Sequence, residues 1–461
     1  MPKSSLWKFL LTVPVALSFS LGGTGRLHGD AVADAKGAPG DGEQQLLAQM
    51  PLGLRALQPD ELYHKVWYLI KDEFYDQKVI SEEWSRWEHR YDGKLKTMDD
   101  AHKAIETMLA SLGDRYTRFL DHDAFDDERS QIESHLFGVG IQIGMDKTNN
   151  VVVIAPIPDT PAARAGLMAQ DEIVEINGKP TKGISVEEAA KQIKGEKGTK
   201  VSLTLMRSGK QVKVTMVRDE IQIKAVQTAQ MINPDVGYIR LTSFISEHAN
   251  DEMKKALGQL SSAKGIILDL RDNPGGLLTN AIEISNMFLD GHHDIVSTVD
   301  KDGYKTPAVS DGHPITHQPL VILINRGSAS ASEIASGAMH DNGRATLVGE
   351  RSFGKGLVQG ITRLDDNTGV NVTIAKYLTP NDTDINQKGI NPDVAVALSE
   401  KDYKDGKGEW WIDPEDPAAA AKRKPEDMKD EQLKKALDII QSKIKGQVIV
   451  SNADGAKTTK Q

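Results

Sequence analysis

The chain has 461 residues, 39% of them hydrophobic and 26% charged, with a formal net charge of −10 and no cysteine. That length and composition fit several soluble globular domains, and the acidic balance argues against a nucleic-acid partner, which needs a basic surface. The lack of cysteine excludes a thiol nucleophile, a disulfide framework, a cysteine-ligated metal and a lipid-modified N-terminal cysteine.

Residues 1–35 read as an export signal. Lys3 and Lys8 precede an apolar run from Phe9 to Leu21, and Ala31-Val32-Ala33 and Ala33-Asp34-Ala35 offer small-residue cleavage sites. Pro14 interrupts the run, which is shorter than the ~20 residues a spanning helix needs, so cleavage is expected over a retained anchor. Asp30 to Leu52 is rich in Gly, Ala, Asp and Gln, and residues 36–58 read as a flexible leader. From Pro59, Leu62, Val66, Leu69, Ile70 and Phe74 recur at helical spacing. A second helix runs from about Asp100 through Ile105 and Met108 to Leu112, where Gly113 can stop it. Residues 59–133 are thus expected to form a small helical domain.

Residues 134–218 read as a mostly-β module. Val151–Ile154, Glu172–Ile176 and Val201–Leu205 have strand character, Asn177-Gly178 signals a turn, and Val186–Ile193 reads as a short helix. Over 219–400 strands and helices alternate, which predicts an α/β core. Gly265–Leu270 and Pro319–Ile324 are the apolar runs expected of strands buried on both faces, with helices near Asn280–Phe288 and Glu333–Met339. The polar tail, 401–461, holds one amphipathic helix with Leu433, Leu437, Ile440 and Ile444 on one face.

Four stretches carry chemistry. In Asn325-Arg326-Gly327-Ser328-Ala329-Ser330-Ala331-Ser332-Glu333 a buried-type strand runs through a small-residue turn into a helix. A serine there sits at a helix N-terminus, where free N–H groups favour developing negative charge. Ser330 and Glu333 also match a capping box, a role compatible with a nucleophile. In Gly349–Gln359, Lys355 lies between Gly354 and Gly356. An ordinary lysine is a solvated cation, only about one in a thousand neutral near pH 7; burial can bring it down toward neutrality. Gln359 could then hold the neutral amine through its side-chain carbonyl. In Leu270-Arg271-Asp272-Asn273-Pro274-Gly275-Gly276 a strand ends in a turn whose glycine N–H could approach a reacting carbonyl, a donor worth ~3–4 kcal/mol in a transition state. In Phe137-Gly138-Val139-Gly140-Ile141 alternating glycines can form a nest for a carboxylate, with a peptide-pairing strand following.

Gly349–Lys355 also fits the phosphate-loop pattern, which gives a nucleotide-binding alternative. Three features oppose it: Gly356 supplies no hydroxyl for a metal, a strand-like Leu357–Thr362 follows in place of a helix, and the acidic strand end at Asp269 precedes the loop. Histidine gives no clear base, since His340 lies about three turns along the helix that Ser330 begins. No metal-ligand spacing is evident among the histidines.

Together these stretches, within Pro59 to Asp393, resemble the C-terminal processing peptidases, or tail-specific proteases. The resemblance implies an α/β catalytic core of crotonase/ClpP-like type with an inserted PDZ domain and an N-terminal helical domain. It implies Ser330 as nucleophile, Lys355 as general base, Gln359 as its orienter, and the N–H groups of Gly276 and Ala331 as oxyanion hole. Phe137, Gly138, Val139, Gly140 and Ile141 would bind a substrate C-terminus. Leu112–Thr117 and Lys388–Asp393 look familial without carrying chemistry, and Lys194 stands where the family often has arginine. The implied function is a serine endopeptidase that cleaves near the C-termini of exported or unfolded proteins, without metal, nucleotide or other cofactor. The implied partners are polypeptides with free C-termini, in a periplasm or thylakoid lumen, with a PDZ domain that gates the site. The rival is an inactive PDZ scaffold. Substrate, oligomeric state and any membrane-surface association stay open.

Overall fold

The computed structural model describes residues 17–18 and 57–446, the latter with short breaks at 133–134, 147, 158–159, 169, 208, 223, 400, 403–404, 406, 412–423 and 426–428. The export signal, apart from Leu17–Ser18, and the leader before residue 57 lie outside the described residues.

Helices α1 (Pro59–Glu73), α2 (Gln77–Glu83) and α3 (Met98–Ala110) form one layer. Leu62, Val66 and Ile70 of α1 meet Ile105 and Met108 of α3, the stripe their spacing dictates. Gly113 takes φ +68 just past α3. The same core includes Val370 and Val372, so the helical layer closes on a sheet further along the chain and has no core of its own. Strand β1 (Arg118–Leu120) joins that sheet, and α4 (His122–Ile132) leads toward the β module.

The chain enters that module by β2 (His135–Gly138) and leaves by β8 (Asp219–Gln222), which pair antiparallel as a two-stranded ribbon. Between them, β3 (Ile141–Met145), β4 (Val151–Pro156), β5 (Glu172–Ile176), β6 (Lys200–Arg207) and β7 (Lys210–Val217) form an antiparallel sheet in chain order. Helix α5 (Val186–Ile193) lies beside β3, whose outer edge is open among the described residues.

The central sheet runs β9 (Val226–Met231), β10 (Val236–Leu241), β11 (Gly265–Asp269), β14 (Leu320–Ile324), β15 (Ala345–Gly349) and β18 (Val394–Ala395). All pairs are parallel except β9–β10. Successive side chains point to opposite faces. Ile266, Leu268, Ile322 and Ile324 therefore enter one core, which they share with α6 (Ala249–Gln259), α7 (Leu278–Asn286) and α8 (Ala331–Asp341). Ile267, Val321 and Leu323 enter another, which α9 (Glu431–Ile444) closes with Leu433, Ala436 and Ile440. A second sheet runs β16 (Leu357–Arg363), β17 (Gly369–Leu378), β12 (Asp294–Asp300) and β13 (Lys305–Val309), all antiparallel, with Leu17–Ser18 parallel to Gln359–Gly360. Among the described residues no helix is long and apolar enough to cross a membrane.

Candidate active site

Strand β14 ends at Ile324, and the chain turns through Asn325–Ala329 into α8. Asn325 organises the turn: its side-chain oxygen accepts the N–H groups of Asp272 and Gly327, both at 2.9 Å, while Ser328 Oγ donates to Leu270 O at 2.8 Å. Ser330 caps α8 with φ +55 and ψ −116, a region a β-carbon makes costly. Its hydroxyl makes no cap hydrogen bond, is fully buried and has no partner among the described residues. The Glu333 N–H goes instead to the Ser330 carbonyl, at 2.8 Å.

Glu333 does more than cap. Its Oε2 accepts the N–H of Ser330 (2.9 Å) and of Lys355 (2.8 Å), and its Oε1 accepts Ser352 Oγ (2.6 Å) and Gly354 N–H (2.7 Å). One carboxylate thus holds the serine turn and the lysine loop together. Burial pushes the Glu333 carboxyl above its ordinary value, against the pull of these donors. Tyr377 adds a second clasp, donating its hydroxyl to the Lys355 carbonyl and lying 3.3 Å from that of Ser330. The capping pattern gave a sequence signal for Glu333 as a cap but none for its reach to Lys355; Tyr377 gave none.

Lys355 is fully buried. Burial brings its pKa down to about 7, with Asp114 and Glu128 pulling it back up. Its Nζ lies 4.6 Å from the centre of the Tyr116 ring. The Gly113–Thr117 turn, expected to carry no chemistry, therefore walls the lysine. Gly354 and Gly356 are required by space: a Cβ on either would come within 2.8 Å of backbone nitrogen in the 386–389 turn. That turn belongs to the other familial stretch, where Ile390 N–H donates to Ser352 Oγ at 2.7 Å. Gln359 sits on β16 at a register shift and pairs with Thr373. Its Nε2 donates to Thr373 Oγ1 at 3.4 Å, and its Oε1 is buried without a partner among the described residues.

Asp269 ends β11, and the following turn passes close to the serine. A Cβ on Gly275 would meet Ala329 O at 2.6 Å and Ala331 N at 2.8 Å. Gly276 takes φ +150 and is wedged against the Phe244–Ile245 backbone, where a Cβ would come within 2.2 Å. No hydrogen bond among the described residues uses the N–H of Gly276 or that of Ala331. The phosphate-loop reading meets the same objection in three dimensions, since β16, a strand, follows Lys355. His340 faces Asp341 (2.9 Å) and Asp393 (3.1 Å), which raise its pKa to about 10 and fix it as a cation at the end of α8.

In the β module, Val139 O accepts Ala162 N–H (2.8 Å) and Gly140 O accepts Ile157 N–H (2.9 Å). No described hydrogen bond uses the N–H groups of Val139 or Gly140. Gly140 has φ +75 and no room for a Cβ beside Thr160. Phe137 is exposed, and Ile141 starts the open edge of β3. Lys194, at the end of α5, pairs with Asp127 of α4 at 3.0 Å, and Lys191 pairs with Asp123. Folding also gathers His64, His89 and Asp92 within 4.8 Å in the helical layer, a grouping with no signal in their spacing; Asp92 bridges the two rings.

An α/β core in which a buried serine and a buried lysine of lowered pKa are tied through their backbone N–H groups to one carboxylate, joined to a β module with an open edge strand, is the arrangement of a serine peptidase carrying a PDZ domain. The family model for peptidase family S41 matches residues 235–396, and that for the PDZ domain matches 127–206. A carboxyl-terminal-processing protease of Synechocystis is 39% identical over 360 residues, covering 76% of this chain and 84% of its own. Its counterpart in Picosynechococcus is 42% identical over 364 residues, covering 77% and 83%. The solved photosystem II D1 C-terminal processing protease aligns with a TM-score of 0.52 at 32% identity, over 74% of this chain and 94% of its own. The chain belongs to peptidase family S41, among the carboxyl-terminal-processing proteases.

Proposed function

We propose that Ser330 is the nucleophile and Lys355 the general base of a peptidase acting on the C-terminal ends of exported proteins. The observation that carries this reading is that Glu333 accepts the backbone N–H groups of both Ser330, whose hydroxyl is buried and without a partner among the described residues, and Lys355, an enclosed lysine whose pKa lies near 7. Neutral Lys355 takes the proton of Ser330 as its oxygen attacks the scissile carbonyl. The N–H groups of Gly276 and Ala331 receive the developing oxyanion. The lysine then returns the proton to the departing amine, and water releases the acyl-enzyme.

The PDZ unit, taken as 134–218, holds the substrate tail. Its carboxylate lies on the 137–141 loop, with unused N–H groups at Val139 and Gly140, and its backbone pairs with β3. The helical unit spans 59–133, the peptidase core 219–400 and the C-terminal extension 401–461. Export through a cleaved signal places the enzyme in a periplasm or thylakoid lumen, a reading that the chloroplastic relatives support. Mass spectrometry of the mature N-terminus checks this, and an intact Met1 would count against it.

A serine-reactive probe should label the wild type and fail on Ser330→Ala; unchanged labelling would remove the catalytic assignment. Peptides with a free C-terminal carboxylate should be cut faster than their amides; equal rates would remove the capture role of the 137–141 loop.

A further inference from the structure

A glutamine side chain is ambiguous: one end donates and the other accepts, and the two are nearly the same shape. Only the carbonyl end can receive a hydrogen from a neutral lysine amine and leave the nitrogen lone pair free for the serine proton. A chain of hydrogen bonds in the described structure bears on this choice. Asp114 accepts hydrogen bonds from Tyr116 N–H (3.0 Å), from the Thr117 hydroxyl (2.8 Å) and from the Thr373 hydroxyl. Thr373 has one hydroxyl hydrogen, and it is directed at Asp114. Its oxygen is left as an acceptor with two groups 3.4 Å away, Thr117 Oγ1 and Gln359 Nε2; the single hydrogen of Thr117 goes to Asp114 at the shorter distance of 2.8 Å, which leaves Gln359 Nε2 as the donor. The amide nitrogen is thereby turned to Thr373, and Gln359 Oε1, buried and without a partner among the described residues, is the end left free. The strand is pinned as well, since Thr373 N–H donates to Thr117 Oγ1 at 3.0 Å.

We propose that Asp114 is a positioning residue of the peptidase: through the Thr373 hydroxyl it fixes the polarity of the Gln359 amide, so that the carbonyl end serves Lys355. This deepens the Ser–Lys reading and rests on it. It gives a task to the Gly113–Thr117 turn, whose Tyr116 ring already walls the lysine. The charged groups acting on Lys355 are Asp114, Glu128, Arg115 and Arg118. Asp114 thus has two separable effects: its hydrogen bond sets the amide, and its charge favours a protonated lysine.

The test is steady-state peptidase kinetics against pH for Thr373→Val, Thr373→Ser and Asp114→Asn, with Lys355→Ala as control and circular dichroism to confirm folding. Thr373→Val should lower kcat roughly tenfold, the effect of one misdirected hydrogen bond, with KM held within about twofold. Thr373→Ser, which keeps the hydroxyl, should recover the rate. Asp114→Asn should lower kcat while moving the acid limb of kcat/KM to lower pH, because the anion favouring protonated lysine is gone. A merely loosened site would admit water and move that limb upward. Wild-type kcat in folded Thr373→Val, no recovery in Thr373→Ser, or an upward limb in Asp114→Asn would each overturn the relay. An active Lys355→Ala would remove the base assignment itself; an inactive one beside an unaffected Thr373→Val would remove the relay alone.

Discussion

Lys355 exchanges solvent for an enclosed position between Tyr116 and the glycine-flanked loop, and its proton affinity falls as a result. Its amine acts as a base only when neutral, so kcat/KM should rise as pH passes upward through about 7 and then level off. The same burial weakens the fold. Between the ordinary value of 10.5 and about 7 the unfolded chain holds a proton here that the folded chain lacks. Stability contributed at this site therefore falls as pH drops through that window and is lowest below it. Lys355→Met should stabilise the protein by a few kcal/mol at pH 6 and by much less at pH 10, as read by urea unfolding at both values. An equal gain at both would mean that the amine is not desolvated. Gly276→Ala should leave the far-UV spectrum intact yet cost at least about a hundredfold in kcat, since the added carbon displaces a backbone donor. Much of this site was legible: a serine at a strand-to-helix turn and a lysine between glycines show themselves locally. Glu333 and Asp114 were less so, because each acts through partners on other elements, and nothing near Asp114 points to Thr373.

At the scale of elements, α9 covers one face of the central sheet so closely that a Cβ on Gly265 would come within 2.7 Å of Ile440. The stripe of Leu433, Leu437, Ile440 and Ile444 announced this helix, and the continuous apolar runs of β11 and β14 called for cover on both faces of the sheet, one of which it supplies. What no local pattern showed is its electrostatic fastening. Arg271, fully buried, bonds Asp269 at 2.7 Å and Asp430 at 2.8 Å, and its Nη1 reaches Gln432 at 3.0 Å. Trp410, in the tail, donates to Tyr238, which donates to Asp269. Asp430→Ala removes one partner and leaves the arginine charge poorly compensated, which should cost ~3–5 kcal/mol in denaturant unfolding. Arg271 directly precedes the Asp272–Gly276 turn, so kcat should fall with stability. The β12–β13 hairpin gave little sequence signal, because β13 is mostly exposed and carries no alternating apolar face.

At the scale of the whole molecule, the β module is fastened to α4 by two pairs of largely exposed side chains, Lys191 with Asp123 and Lys194 with Asp127. Exposed pairs of this kind are weak and screened by salt. Reversing the charge of Asp123 and Asp127 together should leave the melting of the core unchanged while speeding limited proteolysis at residues 133–138 and 219–223. Unchanged cleavage would show that the pairs do not restrain the module. The narrow ribbon by which the module leaves and rejoins the core has a further consequence. His135 stands opposite Gln222 and Gly138 opposite Asp219, so both ends of an 80-residue excursion, roughly, meet as rungs of one ladder. Cutting out everything between those rungs and bridging them with a tight turn would leave an ordinary hairpin, and the enzyme so shortened should still fold, its cutting machinery intact but blind to the ends of its substrates.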